Sequence, residues 1–466
     1  MEFDLVVIGS GPGGYVSAIR ASQLGMKVAI VEKDALGGIC LNWGCIPTKA
    51  LLKSGELYEK MSHLDAFGLS AKDVSFDFAA VIARSRKVSA QLNAGVTFLM
   101  KKHKIEVILG TARLEKSVPA PKVVVALAGG GSRTLQAKNV LVATGARART
   151  LPDIGLVPDG ERIWSYREAL TPKACPATVL VIGSGAIGIE FASFYRALGA
   201  DVTVIEAMGR ILPAEDEEVS AAAQKAFEGR GLKFRIAASV KGLTKTKTGI
   251  SLALDLGGKA ETLTADVAIM AVGIVGNTEN MGLEALGVKV EKTHIIVNDH
   301  GATGVPGLYA IGDVAGPPWL AHKASHEGTH CVEHLAGQGG AALKAPIPGC
   351  TYSDPQIASV GMTEVQAKAK GLKVRVGRFP FKGNGKAIAS GETDGFIKTL
   401  FDAETGALVG AHLIGAEVTE MVQGFALAMT LEATEAEIHA TVFPHPTMSE
   451  AMHESALDAF DRVLHM

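Results

Sequence analysis

The chain has 466 residues, 47% of them hydrophobic, and a formal net charge of −2. That length exceeds one hydrophobic core and suits about three or four domains, while the near-neutral charge argues against nucleic acid and anionic membranes as partners. No apolar run reaches the roughly 18 residues of a membrane span, and five scattered cysteines fit a reducing compartment better than a disulfide-stapled secreted protein.

The chain as given enters a strand almost at once (Phe3-Asp4-Leu5-Val6), so no signal or transit peptide is expected within it. The strand runs into Gly9-Ser10-Gly11-Pro12-Gly13-Gly14, a helical pattern follows, and the apolar run Val28 to Val31 ends on Glu32. A strand, a glycine turn, a helix and a second strand closing on an acid make a dinucleotide fingerprint. The glycines Gly9, Gly11, Gly13 and Gly14 permit the turn, close backbone approach to a pyrophosphate and tight helix packing. The helix start offers N–H groups to that pyrophosphate, and Glu32 accepts hydrogen bonds from ribose hydroxyls.

Eight residues past Glu32 comes Cys40, in the stretch Gly37-Gly38-Ile39-Cys40-Leu41-Asn42-Trp43-Gly44-Cys45-Ile46-Pro47-Thr48-Lys49. A cysteine pair so close to the fingerprint is placed to pass electrons to whatever binds there. In an ideal helix, residues five apart have Cα atoms roughly 8–9 Å apart, and a disulfide needs them within about 7 Å. If Cys40 and Cys45 bond, the helix must begin with a distorted turn, for which Gly44 has the freedom; the alternative is two reduced cysteines in a loop. Zinc binding by the pair is disfavoured, since no second Cys or His pair lies at ligand spacing nearby, and no metal site is expected. Cys175, Cys331 and Cys350 read as packing or surface thiols.

Residues 149–178, rich in Pro and charge, read as a linker-like passage. Beyond it the fingerprint recurs. Leu180-Val181-Ile182 leads into Gly183-Ser184-Gly185-Ala186-Ile187-Gly188, and Val202 to Ile205 ends on Glu206. A shift of 174 residues superposes Gly9, Gly11, Gly14, Ala18, Leu24, Gly25, Val28 and Glu32 on Gly183, Gly185, Gly188, Ala192, Leu198, Gly199, Val202 and Glu206. This internal repeat implies two bound dinucleotides. A carboxylate at 206 repels a 2′-phosphate and so favours NAD over NADP; Arg210, the only nearby base, reads as a surface charge. Gly273, at the end of this segment, joins the cofactor-binding set.

After about residue 275 the pattern returns to the first domain, through the strand-then-acid sequence Gly307-Leu308-Tyr309-Ala310-Ile311-Gly312-Asp313 and a helix start at Leu320 to Ala324. Gly337 to Pro348 reads as a boundary. Beyond it, strands are expected at Phe379-Pro380-Phe381 and Ile397 to Phe401, and a helix from Glu417 to Leu431. Near the C-terminus, His445 lies between Pro444 and Pro446, which favour a fixed, extended presentation. An acid five residues later, Glu450, is positioned to orient it as a base.

Gly37 to Lys49 resembles the redox-active loop of the two-cysteine flavoprotein disulfide reductases, and the resemblance extends over essentially the whole chain. It is closest to the branch of that family that reoxidises dihydrolipoamide for 2-oxo-acid dehydrogenase complexes. The resemblance implies an α/β fold with two Rossmann-like domains, for FAD and NAD, and a C-terminal α+β dimerisation domain. It sets these as a first FAD part at 1–148, an NAD domain at 149–275, a central part completing the FAD site at 276–346 and the interface domain at 347–466. Ala143-Thr144-Gly145 would close the first flavin segment, with Thr144 and Gly145 at the cofactor, and Asp313 would hold the ribityl chain.

The same resemblance implies that Cys40 and Cys45 form the redox disulfide, Cys40 meeting substrate and Cys45 lying against the flavin. Lys49 and Glu190 match family positions near the reactive flavin nitrogen; on its own, Glu190 reads as a first-turn acid serving the helix dipole. His445 and Glu450 would act on the dithiol of the opposite subunit of an obligatory homodimer. Partners would be lipoylated acyltransferases or carrier proteins of 2-oxo-acid dehydrogenase or glycine cleavage complexes, in the cytoplasm. Glutathione-reductase-like function predicts a basic pair after the second Rossmann strand, where Glu206-Ala207-Met208 stands instead. Mercuric-reductase-like and large thioredoxin-reductase-like functions predict a C-terminal cysteine pair, which the tail Asp461 to Met466 lacks. A flavoprotein scaffold without turnover is the alternative from another class.

Overall fold

A computed structural model describes residues 2–339 and 345–466. The chain divides into two compact units, one of Met1–Ala50, Ala79–Arg149 and Gly273–Lys344, the other of Leu51–Phe78, Thr150–Val272 and Ala345–Met466.

The first unit is built on a seven-stranded sheet. Its order is Leu308–Ala310, Ala137–Val142, Phe3–Ile8, Val28–Glu32, Glu106–Glu115, Lys122–Leu127 and Ser132–Leu135. The first five strands are parallel and the last two return as an antiparallel meander. Successive residues of Phe3–Ile8 serve opposite faces: Val6 and Ile8 enter one apolar cluster, Leu5 and Val7 the other. Both faces are thus buried, which is why the strand reads as a continuous apolar run. The helix Pro12–Gln23 leaves the end of that strand. It packs on the helix Ala321–Leu335 at glycine distance, since a Cβ on Gly13 would stand 3.0 Å from the Ala324 carbonyl oxygen.

The second unit carries three sheets. A five-stranded parallel sheet runs Lys233–Arg235, Asp201–Ile205, Thr178–Ile182, Val267–Met270 and Ile163–Trp164. Ala238–Lys245, Ile250–Leu256 and Lys259–Ala265 form an antiparallel meander. The C-terminal part is a five-stranded antiparallel sheet, Gly349–Thr351, Gln356–Gly361, Leu408–Gly415, Phe396–Asp402 and Val374–Pro380. The helices Val418–Thr430 and Glu450–Asp458 cover it over an apolar core that includes Phe379, Phe401, Val422 and Phe425. Two Rossmann-like sheets and a C-terminal α+β module are therefore present, as the family resemblance implied.

Two expectations change in detail. Residues 149–178 are folded rather than a plain linker: Ile163–Trp164 is an edge strand of the parallel sheet, and Tyr166–Leu170 is a helix with a Ser165–Glu168 capping box. Charge and proline hide these short elements, because a two-residue strand has no periodicity to read. Phe381 leaves the strand Val374–Pro380 and opens a 3₁₀ turn, Phe381–Gly383. Of the expected boundary from Gly337 to Pro348, residues 340–344 lie outside the described residues.

Candidate active site

Within the first unit, the fingerprint turn is shaped by backbone crowding. Gly9 has φ +98°, and a Cβ there would stand 2.3 Å from the Ala143 carbonyl oxygen; one on Gly14 would be 1.9 Å from that of Gly9. Gly11 differs, for a Cβ there meets no protein atom within 4 Å. Crowded glycines set the turn, and the open one leaves room for a bound group to approach the backbone. Gly11 is also the N-cap of Pro12–Gln23 and no side chain caps that helix, so its first N–H groups face a ligand position.

Glu32, buried at the end of its strand, is held by the turn itself. Its Oε2 accepts from the Ser10 N–H at 2.9 Å and the Ser10 hydroxyl at 2.6 Å, and its Oε1 accepts from the Asp34 N–H at 2.8 Å. Thr144 and Gly145 are tied to Asn277: the Thr144 hydroxyl donates to the Asn277 carbonyl at 2.8 Å, and the Asn277 side-chain amide donates to the Thr144 carbonyl at 2.9 Å. Asp313 is the second residue of the 3₁₀ turn Gly312–Ala315 that follows strand Leu308–Ala310, where burial pushes its carboxyl up against the pull of Lys323. Glu327 accepts the Gly312 N–H at 2.8 Å and pairs with the buried Lys323 at 3.0 Å, fixing that turn.

The redox loop is docked on this same turn. The Gly37 N–H donates to the Ser10 carbonyl at 3.0 Å, and a Cβ on Gly38 would lie 2.7 Å from the Gly11 Cα. The short helix Gly38–Trp43 then stops, Gly44 takes φ −146° and ψ −115°, and Cys45 opens the helix Cys45–Met61. This break brings the Cα atoms of Cys40 and Cys45 to 4.7 Å, and the two are joined as a disulfide. Lys49 stands one turn beyond Cys45 on the same helix, hence on the same face. Side chains from the helix Phe78–Lys102 hold the loop from outside. Arg86 donates to the Asn42 carbonyl at 2.7 Å and lies 4.4 Å over the Trp43 ring, while Asn93 donates to the Leu36 carbonyl at 2.7 Å. Neither residue announced itself in the sequence. Of the other cysteines, Cys331 is buried, which pushes its thiol up to about 12 and leaves it unreactive.

In the second unit the fingerprint is rebuilt bond for bond. A Cβ on Gly183 would meet the Ala271 carbonyl oxygen at 2.2 Å, one on Gly188 would meet that of Gly183 at 2.0 Å, and one on Gly185 would meet nothing within 4 Å. Glu206 Oε2 accepts from the Ser184 N–H at 3.0 Å and the Ser184 hydroxyl at 2.6 Å, and Oε1 accepts from the Met208 N–H at 2.7 Å. Gly273, φ +99°, which opens the last segment of the first unit, comes two residues after Ala271 in the chain, as Gly145, φ +67°, comes two after Ala143. Arg210 pairs with exposed Glu217 at 2.6 Å. Glu190 corrects the sequence reading. It is the fifth residue of the helix Ala186–Ala197, so outside the first turn, and is buried, accepting the Tyr352 N–H at 3.1 Å.

Also in the second unit, His445 Nδ1 lies 2.9 Å from Glu450 Oε1, and Glu450 Oε2 accepts the Thr447 N–H at 2.8 Å. Burial acts to raise the Glu450 carboxyl, but the Thr447 N–H and His445 outweigh it and lower it. With Nδ1 engaged, His445 presents Nε2 outward from a largely exposed ring, in a bend rather than the expected extended segment.

Residues 3–328 match the family model for pyridine nucleotide-disulphide oxidoreductases, and residues 347–456 match that family's dimerisation domain. The chain belongs to the pyridine nucleotide-disulphide oxidoreductases. It is 54% identical to the dihydrolipoyl dehydrogenase of Rhizobium etli, over 99% of both chains, and 52% identical to that of Zymomonas mobilis, over 100% of this chain and 99% of that one. Among solved structures, LpdA from Mycobacterium tuberculosis superposes with a TM-score of 0.90 at 28% identity, covering 97% of this chain and 98% of the other. As a pyridine nucleotide-disulphide oxidoreductase the chain uses FAD and NAD, and its two glycine clefts fit dinucleotides in the open Gly11 and Gly185 positions and the uncapped helix starts. No helix among the described residues is long and apolar enough to cross a membrane.

Proposed function

We propose that this oxidoreductase reoxidises protein-bound dihydrolipoamide to lipoamide and delivers the electrons to NAD. The observation that carries the reading is the docking of the Cys40–Cys45 loop on the Gly9–Gly14 turn, through the Gly37 N–H and the close approach of Gly38 to Gly11. We assign residues 1–148 and 276–346 to FAD, with Gly9, Gly11, Gly13, Gly14, Glu32, Lys49, Thr144, Gly145 and Asp313 at the cofactor. Residues 149–275 take NAD through Gly183, Gly185, Gly188, Glu206 and Gly273, and 347–466 are the interface domain.

FAD, when bound, would supply the two-electron redox chemistry that links the cysteine pair to NAD. The chain's own part is sulfur and proton chemistry. His445, oriented by Glu450, takes a proton from one substrate thiol; the thiolate attacks Sγ of Cys40, the Cys40–Cys45 bond breaks and Cys45 leaves as thiolate. The second substrate thiol passes its proton to the departing Cys40 sulfur as it attacks the mixed disulfide; Cys40 is released as a thiol, and the substrate closes as a cyclic disulfide two electrons poorer. Lys49, one turn past Cys45, supplies positive charge where Cys45 becomes anionic.

Because the His445 ring is largely exposed on its own subunit, we assign its target to the Cys40–Cys45 pair of a second copy in a homodimer. The match to the dimerisation domain supports this arrangement. Lipoylated carrier or acyltransferase proteins in the cytoplasm are the proposed partners. Glu206, held by Ser184 with its charge at the ribose position, supports NAD over NADP. Purified protein assayed with dihydrolipoamide and NAD, beside glutathione disulfide and NADPH, tests the assignment. Turnover with the first pair is expected; turnover with the second alone would overturn it.

A further inference from the structure

Lys323 is placed where neither burial nor helix position favours a lysine. It is 6% exposed, and an ammonium taken out of water costs several kcal/mol unless it is paired and hydrogen-bonded. It also stands in the first turn of the helix Ala321–Leu335, where the dipole favours acids over cations. A residue that breaks two local rules at once points to a task in the folded protein.

Its contacts show the task. Lys323 Nζ donates to the Gly316 carbonyl at 2.9 Å and pairs with Glu327 Oε1, one helical turn on, at 3.0 Å. The other oxygen of that carboxylate, Oε2, accepts the Gly312 N–H at 2.8 Å. Gly312 opens the 3₁₀ turn Gly312–Ala315 and Gly316 caps it, so one ion pair grips both ends of the segment that carries Asp313. The turn packs on the helix beside that pair: a Cβ on Gly312 would stand 3.1 Å from that of Ala324, and one on Gly13 of the fingerprint 3.2 Å from the same atom. Burial pushes the Asp313 carboxyl up, Lys323 draws it down and Glu327 pushes it up further, so the two charges act on this position with opposite signs.

We propose that Lys323 and Glu327 are positioning residues for the flavin, holding the Asp313 turn in place and setting, with opposite signs, the charge that the bound flavin meets. The inference rests on the assignment of Asp313 to FAD. Reduction adds electrons to the flavin, so the Lys323 ammonium favours its reduced form and the Glu327 carboxylate its oxidised form. Taken together the pair is neutral: it braces the turn and leaves the balance between the two forms where the rest of the cleft sets it. A clamp with no electrostatic role would loosen the flavin when either side chain is cut back, and would move that balance in one direction or not at all.

The test uses the full-length holoprotein carrying Cys45→Ser, in which the disulfide no longer competes with the flavin for electrons. Absorbance gives the fraction of flavin reduced against the NADH to NAD ratio, fluorescence follows FAD release on dilution, and circular dichroism checks folding. Lys323→Met should require a ratio at least threefold higher for half reduction, Glu327→Gln one at least threefold lower, and the double variant should return to within twofold of the parent. FAD release should quicken at least tenfold in Lys323→Met, which loses a charged hydrogen bond to the turn. It should quicken less in Glu327→Gln, whose amide oxygen still accepts the Gly312 N–H. Lys323→Gln, which drops the charge but keeps a donor, carries the same shift in ratio should the Met variant not fold. Any other pattern of ratios in folded proteins, above all shifts of one sign in both single variants, overturns the proposal while Asp313→Asn still releases FAD faster than the parent. Unchanged release from Asp313→Asn removes Asp313 from the flavin, and the proposal with it.

Discussion

The ammonium of Lys398, 1% exposed, lies 3.0 Å from Asp216 Oδ1, itself 2% exposed, and 2.8 Å from carboxylate oxygens of Glu218 and Glu364. It ties the strand Phe396–Asp402 to the N-terminus of the helix Glu217–Gly229 inside the second unit. Lys398→Met keeps the stem's volume but leaves Asp216 buried without its cation. Removing one partner of such a pair costs about 3–5 kcal/mol. Urea denaturation monitored by circular dichroism should register a loss of that order; a change under about 1 kcal/mol would mean the carboxylates find water instead.

The same cluster sets an acid limit. Arg378 holds the Glu218 carboxyl down to about 2, with burial opposing and Lys398 adding to it. Burial acts to raise Asp216, but Lys398 outweighs it and the net direction is down. A carboxylate lowered by folding contributes stability in full above its unfolded value and loses it as pH falls toward its folded one. Stability should therefore decline from about pH 4.5 toward pH 2, and the decline should be shallower in Lys398→Met. Urea midpoints collected between pH 5 and pH 3 for both proteins check the slope.

Gly185 and Gly188 are expected to separate ligand binding from folding. Gly188→Ala forces a Cβ to 2.0 Å from the Gly183 carbonyl oxygen, so the turn must deform and the protein should be strongly destabilised. Gly185→Ala meets only open space. It should fold with wild-type thermal stability and flavin content, yet raise the KM for NAD at least tenfold by occupying the pyrophosphate's approach. Equal KM values would place the nucleotide elsewhere.

His445→Gln removes the proposed base while leaving an amide of similar size. Loss of a positioned general base typically lowers the rate 10²–10⁴-fold, and dithiol oxidation should fall into that range. Transfer of electrons from NADH to an artificial dye bypasses the cysteines and should stay within about twofold. Parallel losses in both assays would assign His445 to structure.

Cys45→Ser should abolish dithiol turnover but leave a yellow, flavin-loaded protein, because the dinucleotide turn is built from Gly9, Gly14, Ser10 and Glu32 independently of the bridge. Absorbance of the purified variant decides it; colourless protein would contradict the placement of the cofactor.

Much of this was legible in the sequence where the signal is local. Glycine spacing and the terminal acids gave both fingerprints, and five-residue spacing with Gly44 between gave the requirement for a broken helix, which the 4.7 Å Cα separation meets. Contacts made by residues far apart in the chain were not legible. Arg86 and Asn93 brace the redox loop from a helix that begins some 30 residues later, and nothing in their own neighbourhood marks them. Ser10 and Ser184 stand in the two fingerprints with no role assigned from the sequence, and only the folded register reveals them as the clamps on Glu32 and Glu206. Taken alone, Glu190 read as a first-turn acid because it lies two residues past Gly188, but the helix begins at Ala186 and carries it beyond the first turn.

The interruption at Gly44 has a consequence for how the enzyme cycles. The cysteines sit on two separate rods, Cys40 inside the first and Cys45 at the head of the second, each completed by its own backbone hydrogen bonds. Opening and closing the sulfur link thus leaves both rods intact, and a single peptide hinge absorbs whatever separation the atoms require. Turnover rewrites one bond on a frame that has no need to unravel.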